Sequence, residues 1–152
     1  MKTIYLADDD EDDRMLIRMA IEQEISDVRI LEVDSGDLLI DTIEQGKSTS
    51  TPAVVIMDMN MPRMNGLETL SYLKANSSHK HIPVVMLSTT SDPSLVRDSY
   101  DRGVNAFIEK PIFHQDFVRL VSYRCLFSEC KPPDRSFPAK FKEIRKYNYY
   151  RR

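Results

Sequence analysis

Polar and apolar positions alternate between two periods along the first 125 residues of this 152-residue chain. Thr3 to Ala7 is a short apolar segment with strand character. Leu16 and Ala20, then Ile17, Ile21 and Ile25, follow at helical spacing. Val28 to Val33 reads as a second strand, and Leu38, Leu39 and Ile43 mark a second helix opening near Ser35. A Ser/Thr-rich loop, Lys47 to Thr51, leads into the unbroken apolar run Ala53 to Met57. Leu67, Leu70 and Leu73 predict a third helix after Asn65 and Gly66, and Pro83 to Leu87 is a fourth strand. Asp92 and Pro93 fit a helix start, with Asp as cap and Pro in the first position, and Gly103 suits its end. Val104 to Glu109 is a fifth strand, and Phe113, Phe117, Leu120 and Val121 stripe a fifth helix.

Strands alternating with helices predict an α/β fold, a parallel sheet covered on both faces. The third and fourth strands are apolar throughout, as buried central strands are. Polar residues interrupt the second and fifth, as at edges, which fits the strand order 2-1-3-4-5.

Charge divides the chain in two. Residues 1–125 carry 13 Lys and Arg against 21 Asp and Glu, whereas residues 126–152 carry 8 against 3. The expectation is an acidic domain, 1–125, followed by a basic C-terminal extension, 126–152, with no separate output domain. No apolar run is long enough for a membrane span, and the N-terminus lacks a signal-peptide pattern. Cys125 and Cys130 match no zinc spacing and read as reduced thiols of a cytoplasmic protein.

In an open parallel sheet the ligand site lies beyond the carboxyl ends of the strands. The first strand ends in Asp8 and Asp9, the third in Asp58, the fourth in Ser88, Thr89 and Thr90, and the fifth in Lys110 and Pro111. Carboxylates crowded on one rim repel one another unless a cation compensates them. Hard oxygen ligands suit Mg²⁺, or Mn²⁺, better than zinc. Lys110 and one divalent ion balance the three acids, and together with the Ser88 hydroxyl they can stabilise a phosphoryl group carried by Asp58. Asp10, Glu11, Asp12 and Asp13 read as a solvated helix start. The methionines read as core, and His79, His81 and His114 match no ligand spacing.

The pair Asp8-Asp9, the segment Asp58-Met59-Asn60-Met61-Pro62-Arg63-Met64-Asn65-Gly66, Ser88-Thr89 and Lys110-Pro111 together resemble the response-regulator receiver family, the CheY-like proteins. The resemblance spans roughly residues 2–125 and implies a flavodoxin-like, doubly wound (βα)5 fold. It implies Asp58 as phosphoacceptor, with Asp9, Asp58 and the Asn60 carbonyl on Mg²⁺ and Asp8 reaching the ion through water. It makes Ser88 the switch hydroxyl and Phe107 the switch aromatic. Lys110 becomes the phosphate partner, the bond before Pro111 is expected to be cis, and Asn60 and Thr90 tune loss of the phosphoryl group. Ser88 stands where Thr is more usual, and Phe107 where Tyr is common.

The same resemblance implies phosphorylation by a sensor histidine kinase or phosphotransfer protein. It also implies self-dephosphorylation rather than conventional enzyme turnover, and a homodimer through the fourth helix, fifth strand and fifth helix. The acidic opening is similar to stand-alone regulators of the phytochrome-associated branch. The aromatic-rich basic extension leaves nucleic acid open as a partner, with a solvated extension the simpler expectation. Phosphorylation is expected to draw Ser88 toward the phosphate and to let Phe107 turn inward. Two rivals remain. A haloacid-dehalogenase-like phosphatase would need an acid where Asn60 stands, and a scaffold without the switch would not need three crowded carboxylates.

Overall fold

The computed structural model describes residues 2–46, 52–111 and 114–122. Ten elements alternate along them: β1 (Lys2–Ala7), α1 (Glu11–Glu24), β2 (Val28–Val33), α2 (Gly36–Gln45), β3 (Pro52–Asp58), α3 (Gly66–Ala75), β4 (Val84–Ser88), α4 (Pro93–Asp101), β5 (Ala106–Glu109) and α5 (His114–Ser122). The strands form one sheet in the order β2-β1-β3-β4-β5, and every pair is parallel. The expected order and the flavodoxin-like α/β class are both observed.

Each inner strand is apolar on both faces because both faces are covered. Ile4 and Leu6, Val54 and Ile56, Val85 and Leu87, and Ala106 and Ile108 join Ile17, Ile21 and Phe117 in a core under α1 and α5. Their alternates, Tyr5 and Ala7, Val55 and Met57, Val84 and Met86, and Phe107, pack with Leu39, Leu70, Leu73 and Val96 under α2, α3 and α4. This is period-two burial shared between two cores. The edge strand β2 is only half-buried, in keeping with its polar interruptions.

Helix starts follow local capping chemistry. The Asp10 carboxylate accepts from the backbone N–H groups of Asp12 and Asp13, and Asn65 forms a reciprocal capping box with Glu68. Asp92 accepts from Ser94 and Leu95, with Pro93 opening α4, and Gly103 takes φ +98° beyond its end. The fifth strand is shorter than expected. Asn105 leaves it, and its side-chain Oδ1 accepts from the Val84 N–H at 2.9 Å. Lys47 to Thr51, Phe113 and the basic extension 126–152 lie outside the described residues.

Backbone hydrogen bonds carry the ladder past the strand ends and fix what stands there. Asp8 N–H donates to Val33 O at 3.1 Å, Met59 N–H to Leu87 O at 2.8 Å, and Lys110 N–H to Ser88 O at 2.7 Å. The Lys110–Pro111 peptide bond is trans, as are all others among the described residues, against the expected cis form. Trans is intrinsically preferred by about 0.5–1 kcal/mol at such bonds, and Lys110 reaches its partners from that geometry.

Gly66 sits where α3 starts against the end of β3. A Cβ there would lie 2.7 Å from the Asp58 carbonyl oxygen and 2.7 Å from Met86 Sδ. Gly66→Ala should therefore destabilise the fold by about 1–3 kcal/mol, through backbone shift rather than lost burial. Urea unfolding would register it as a lower midpoint at unchanged slope. An unaltered midpoint would show that the close approach imposes no constraint.

Candidate functional site

The residues expected at the strand ends do converge. Carboxylate oxygens of Asp8, Asp9 and Asp58 all lie within 4.8 Å of one another. Asp8 and Asp58 are buried, while Asp9 is exposed at the rim. Lys110 Nζ stands 2.7 Å from Asp8 Oδ2 and 3.3 Å from Asp58 Oδ1. The contact with Asp8 is a close ion pair, with the Asp8 side chain almost wholly buried.

Burial, and next the Asp8 carboxylate, push the Asp58 carboxyl up to about 6 against the pull of Lys110. Burial likewise raises Asp8, with Lys110 offsetting part of it. Burial presses the Lys110 ammonium down, but its contacts with Asp13 and Asp8 outweigh that and hold it above its ordinary value. The donor set therefore fits a divalent hard cation: three carboxylates in mutual reach, two of them buried and strained by proximity.

Ser88 is fully buried, and its hydroxyl oxygen accepts from the Thr90 N–H at 3.2 Å. Thr90 and Asn60 are exposed at the mouth, and Thr90 Oγ1 accepts from the Asp92 N–H at 3.3 Å. Phe107 is only 5% exposed and already lies in the core under α4. This is the inward position that the switch reading assigns to the ring. A phenylalanine ring lacks the hydroxyl that would reward exposure, so burial holds it. Its backbone N–H donates to Tyr100 Oη at 3.3 Å, tying β5 to α4.

Three contributors were not anticipated. Asp13 is more than a solvated helix start, because Lys110 Nζ donates to its Oδ2 at 2.7 Å. Arg14 donates to the Asp8 carbonyl at 2.6 Å and pairs with Glu32 at 3.4 Å, which anchors the first acidic loop to β2. Arg63 adopts φ +62°, uncommon for a non-glycine residue, and is held by Asp37 at 2.9 Å, by Asp34 at 3.4 Å and by Ser35 Oγ. That network, with Gly36 N–H donating to Met64 O at 3.2 Å, fastens the segment after Asp58 to the start of α2. A sequence signal existed only for Asp13, which lies in the first turn of the helix that follows the Asp8-Asp9 pair.

The model of the response regulator receiver domain matches residues 4–122. The chain belongs to the response regulator receiver family. This receiver is 32% identical over 120 residues to a probable methanogenesis regulatory protein, FilR2, of Methanothrix harundinacea, covering 78% of this chain and 77% of that protein. Its fold is similar to the phosphorylated cyanobacterial phytochrome response regulator RcpA, with TM-score 0.73 and 29% identity over 80% of this chain and 89% of RcpA. It is also similar to the Mn²⁺-bound form of response regulator Rcp1, with TM-score 0.71 and 26% identity over 82% of this chain and 91% of that one. As a receiver it is the phosphoacceptor type of domain of two-component systems, and its buried acidic cluster suits a metal. Among the described residues no helix is long and apolar enough to cross a membrane.

The raised Asp58 carboxyl has a consequence for stability. Between the ordinary value of 3.8 and about 6 the folded receiver binds more protons than the unfolded chain, so this group's contribution falls as pH rises. Asp58→Asn should therefore raise Tm of the metal-free receiver by about 2–6 °C near pH 7.5, with the gain shrinking toward pH 4. Mg²⁺ should raise Tm of the wild type and leave the variant little changed. Thermal melting in EDTA and in Mg²⁺ tests both. A variant no more stable than wild type at neutral pH would mean that the crowded carboxylates are not strained.

Proposed function

We propose that this receiver takes a phosphoryl group on Asp58 from a phosphohistidine of a sensor histidine kinase or phosphotransfer protein, and signals by binding partners. The observation that carries the reading is Lys110 Nζ 3.3 Å from the Asp58 carboxylate, inside the Asp8, Asp9 and Asp58 cluster. In the transfer an Asp58 oxygen attacks phosphorus. The P–O bond forms as the P–N bond breaks, and the imidazole nitrogen takes the electron pair and then a proton.

Asp9, Asp58 and the Asn60 carbonyl would hold Mg²⁺, or Mn²⁺ as in the Rcp1 relative, with Asp8 acting through water. Bound there, the ion would supply positive charge to the phosphoryl oxygens. Lys110 supplies the fixed protein cation, and the Ser88 hydroxyl turns from its Thr90 contact to donate to a phosphoryl oxygen. Water later attacks the phosphorus, returning the Asp58 carboxylate and releasing inorganic phosphate. Asn60 and Thr90, exposed at the mouth, control the approach of that water. This is self-phosphotransfer and self-dephosphorylation rather than turnover of a diffusing substrate.

Residues 1–125 form the receiver in this reading, and 126–152 a basic extension. The protein works in the cytoplasm, its likeness to the phytochrome response regulator RcpA supports the phytochrome-associated branch, and the face of α4, β5 and α5 is the surface for self-association or partners. With Phe107 buried in the core, the moving part in this reading is the Ser88 turn and the start of α4.

Intact-mass spectrometry after acetyl phosphate treatment tests the chemistry. One phosphoryl group should be gained with Mg²⁺, lost again on standing, and absent without the metal or in Asp58→Asn. Wild type that gains nothing from acetyl phosphate or from a partner kinase would remove the proposal. The switch has its own readout in amide NMR shifts. A phosphoryl mimic should move Ser88 to Leu95 most, and an unchanged β4–α4 segment would count against Ser88 as the moving part.

A further inference from the structure

We propose that Asp13 is a positioning residue of this site: its carboxylate holds the Lys110 ammonium in the unphosphorylated receiver and competes with the phosphoryl group for it. The inference rests on the reading of Asp58 as phosphoacceptor. Lys110 Nζ is 2.7 Å from Asp13 Oδ2 and 2.7 Å from Asp8 Oδ2, but 3.3 Å from Asp58 Oδ1. At rest the lysine is thus closer to two bystander carboxylates than to the nucleophile.

The three anchors are not equivalent. The side chains of Asp8 and Asp58 are 1% and 6% exposed, and that of Asp13 is 32% exposed. Asp13 can be rehydrated when it is released, whereas Asp8 cannot, so Asp13 is the anchor that gives way. Asp13 also stands outside the cluster of Asp8, Asp9 and Asp58 that suits a cation, so an ion there would leave Lys110 as the cation Asp13 pairs with. Its backbone is fixed, because its N–H donates to the Asp10 cap at 3.2 Å in the first turn of α1. The carboxylate is therefore held at the rim facing the lysine.

Phosphorylation of Asp58 adds negative charge beside Lys110. The ammonium then serves the phosphoryl oxygens at the expense of Asp13, and the Asp13 charge opposes the new anion across the same short gap. Both effects have one sign: Asp13 favours the resting state. Removing its charge frees the lysine and removes a repulsion.

Fluorine NMR titration of beryllofluoride in Mg²⁺ reads this directly, on wild type, Asp13→Asn, Asp13→Glu, Asp12→Asn and Asp58→Asn. Asp12 is the control for net charge, since it precedes Asp13 in the same turn and is exposed. Asp13→Asn should bind the mimic roughly three- to tenfold more tightly, as expected for relief of one half-exposed charge contact. Asp13→Glu and Asp12→Asn should stay within about twofold of wild type. The acetyl phosphate concentration giving half-maximal phosphorylation should fall in Asp13→Asn alone. Folded Asp13→Asn that binds the mimic equally or more weakly overturns the proposal. Equal tightening by Asp12→Asn also overturns it, since the effect would then be one of overall charge. Wild type that takes up no mimic would remove the assignment of Asp58 itself, a different outcome from a failure confined to Asp13.

Discussion

A single ammonium, that of Lys110, stands between carboxylates that could not otherwise share a buried rim. Asp8 and Asp58 are almost wholly removed from water and lie within reach of each other and of Asp9. Burial alone makes each of them resist ionisation, and each makes the other worse. The fold tolerates the arrangement because the end of β5 delivers a cation into it. The remaining strain is what a divalent cation at the cluster would relieve.

The sheet exists, in functional terms, to bring those strand ends into register. Ladder bonds continue past β1, β3 and β5 at Asp8, Met59 and Lys110, and so fix the strand ends around the acidic cluster. Two buried cores clamp the strands from both sides, so the side chains of the acidic cluster and Lys110 hang from rigid backbone while their loops remain at the surface. The loop after Asp58 is stiffened in two places, by Gly66 packed against Asp58 and by Arg63 tied to the start of α2.

Much of this was legible in the residues. Apolar runs of strand length at 53–57 and 83–87 marked the sheet centre, and Asp92 with Pro93 marked the capped start of α4. Those signals are local, because a cap or a two-sided strand is decided within a few residues. The strand-end rule then turned the fold into a site, placing Asp8, Asp9, Asp58, Ser88 and Lys110 together before any distance was known. The acidic run after Asp9 was less legible, since a solvated helix start and a lysine partner share one composition.

The sequence by itself determined the order of the elements, the strand order and the identity of the groups at the rim, because hydrophobic periodicity and parallel topology follow from short-range pattern. Tertiary structure alone decided how those groups share their charges. Asp13 meets Lys110 across 97 residues of chain, Arg63 meets Asp37 across 26, and neither approach is written in a local pattern. It also decided that Phe107 is buried and that the bond before Pro111 is trans. Such outcomes depend on packing between elements distant in sequence, where angstroms of approach set which carboxylate a lysine serves.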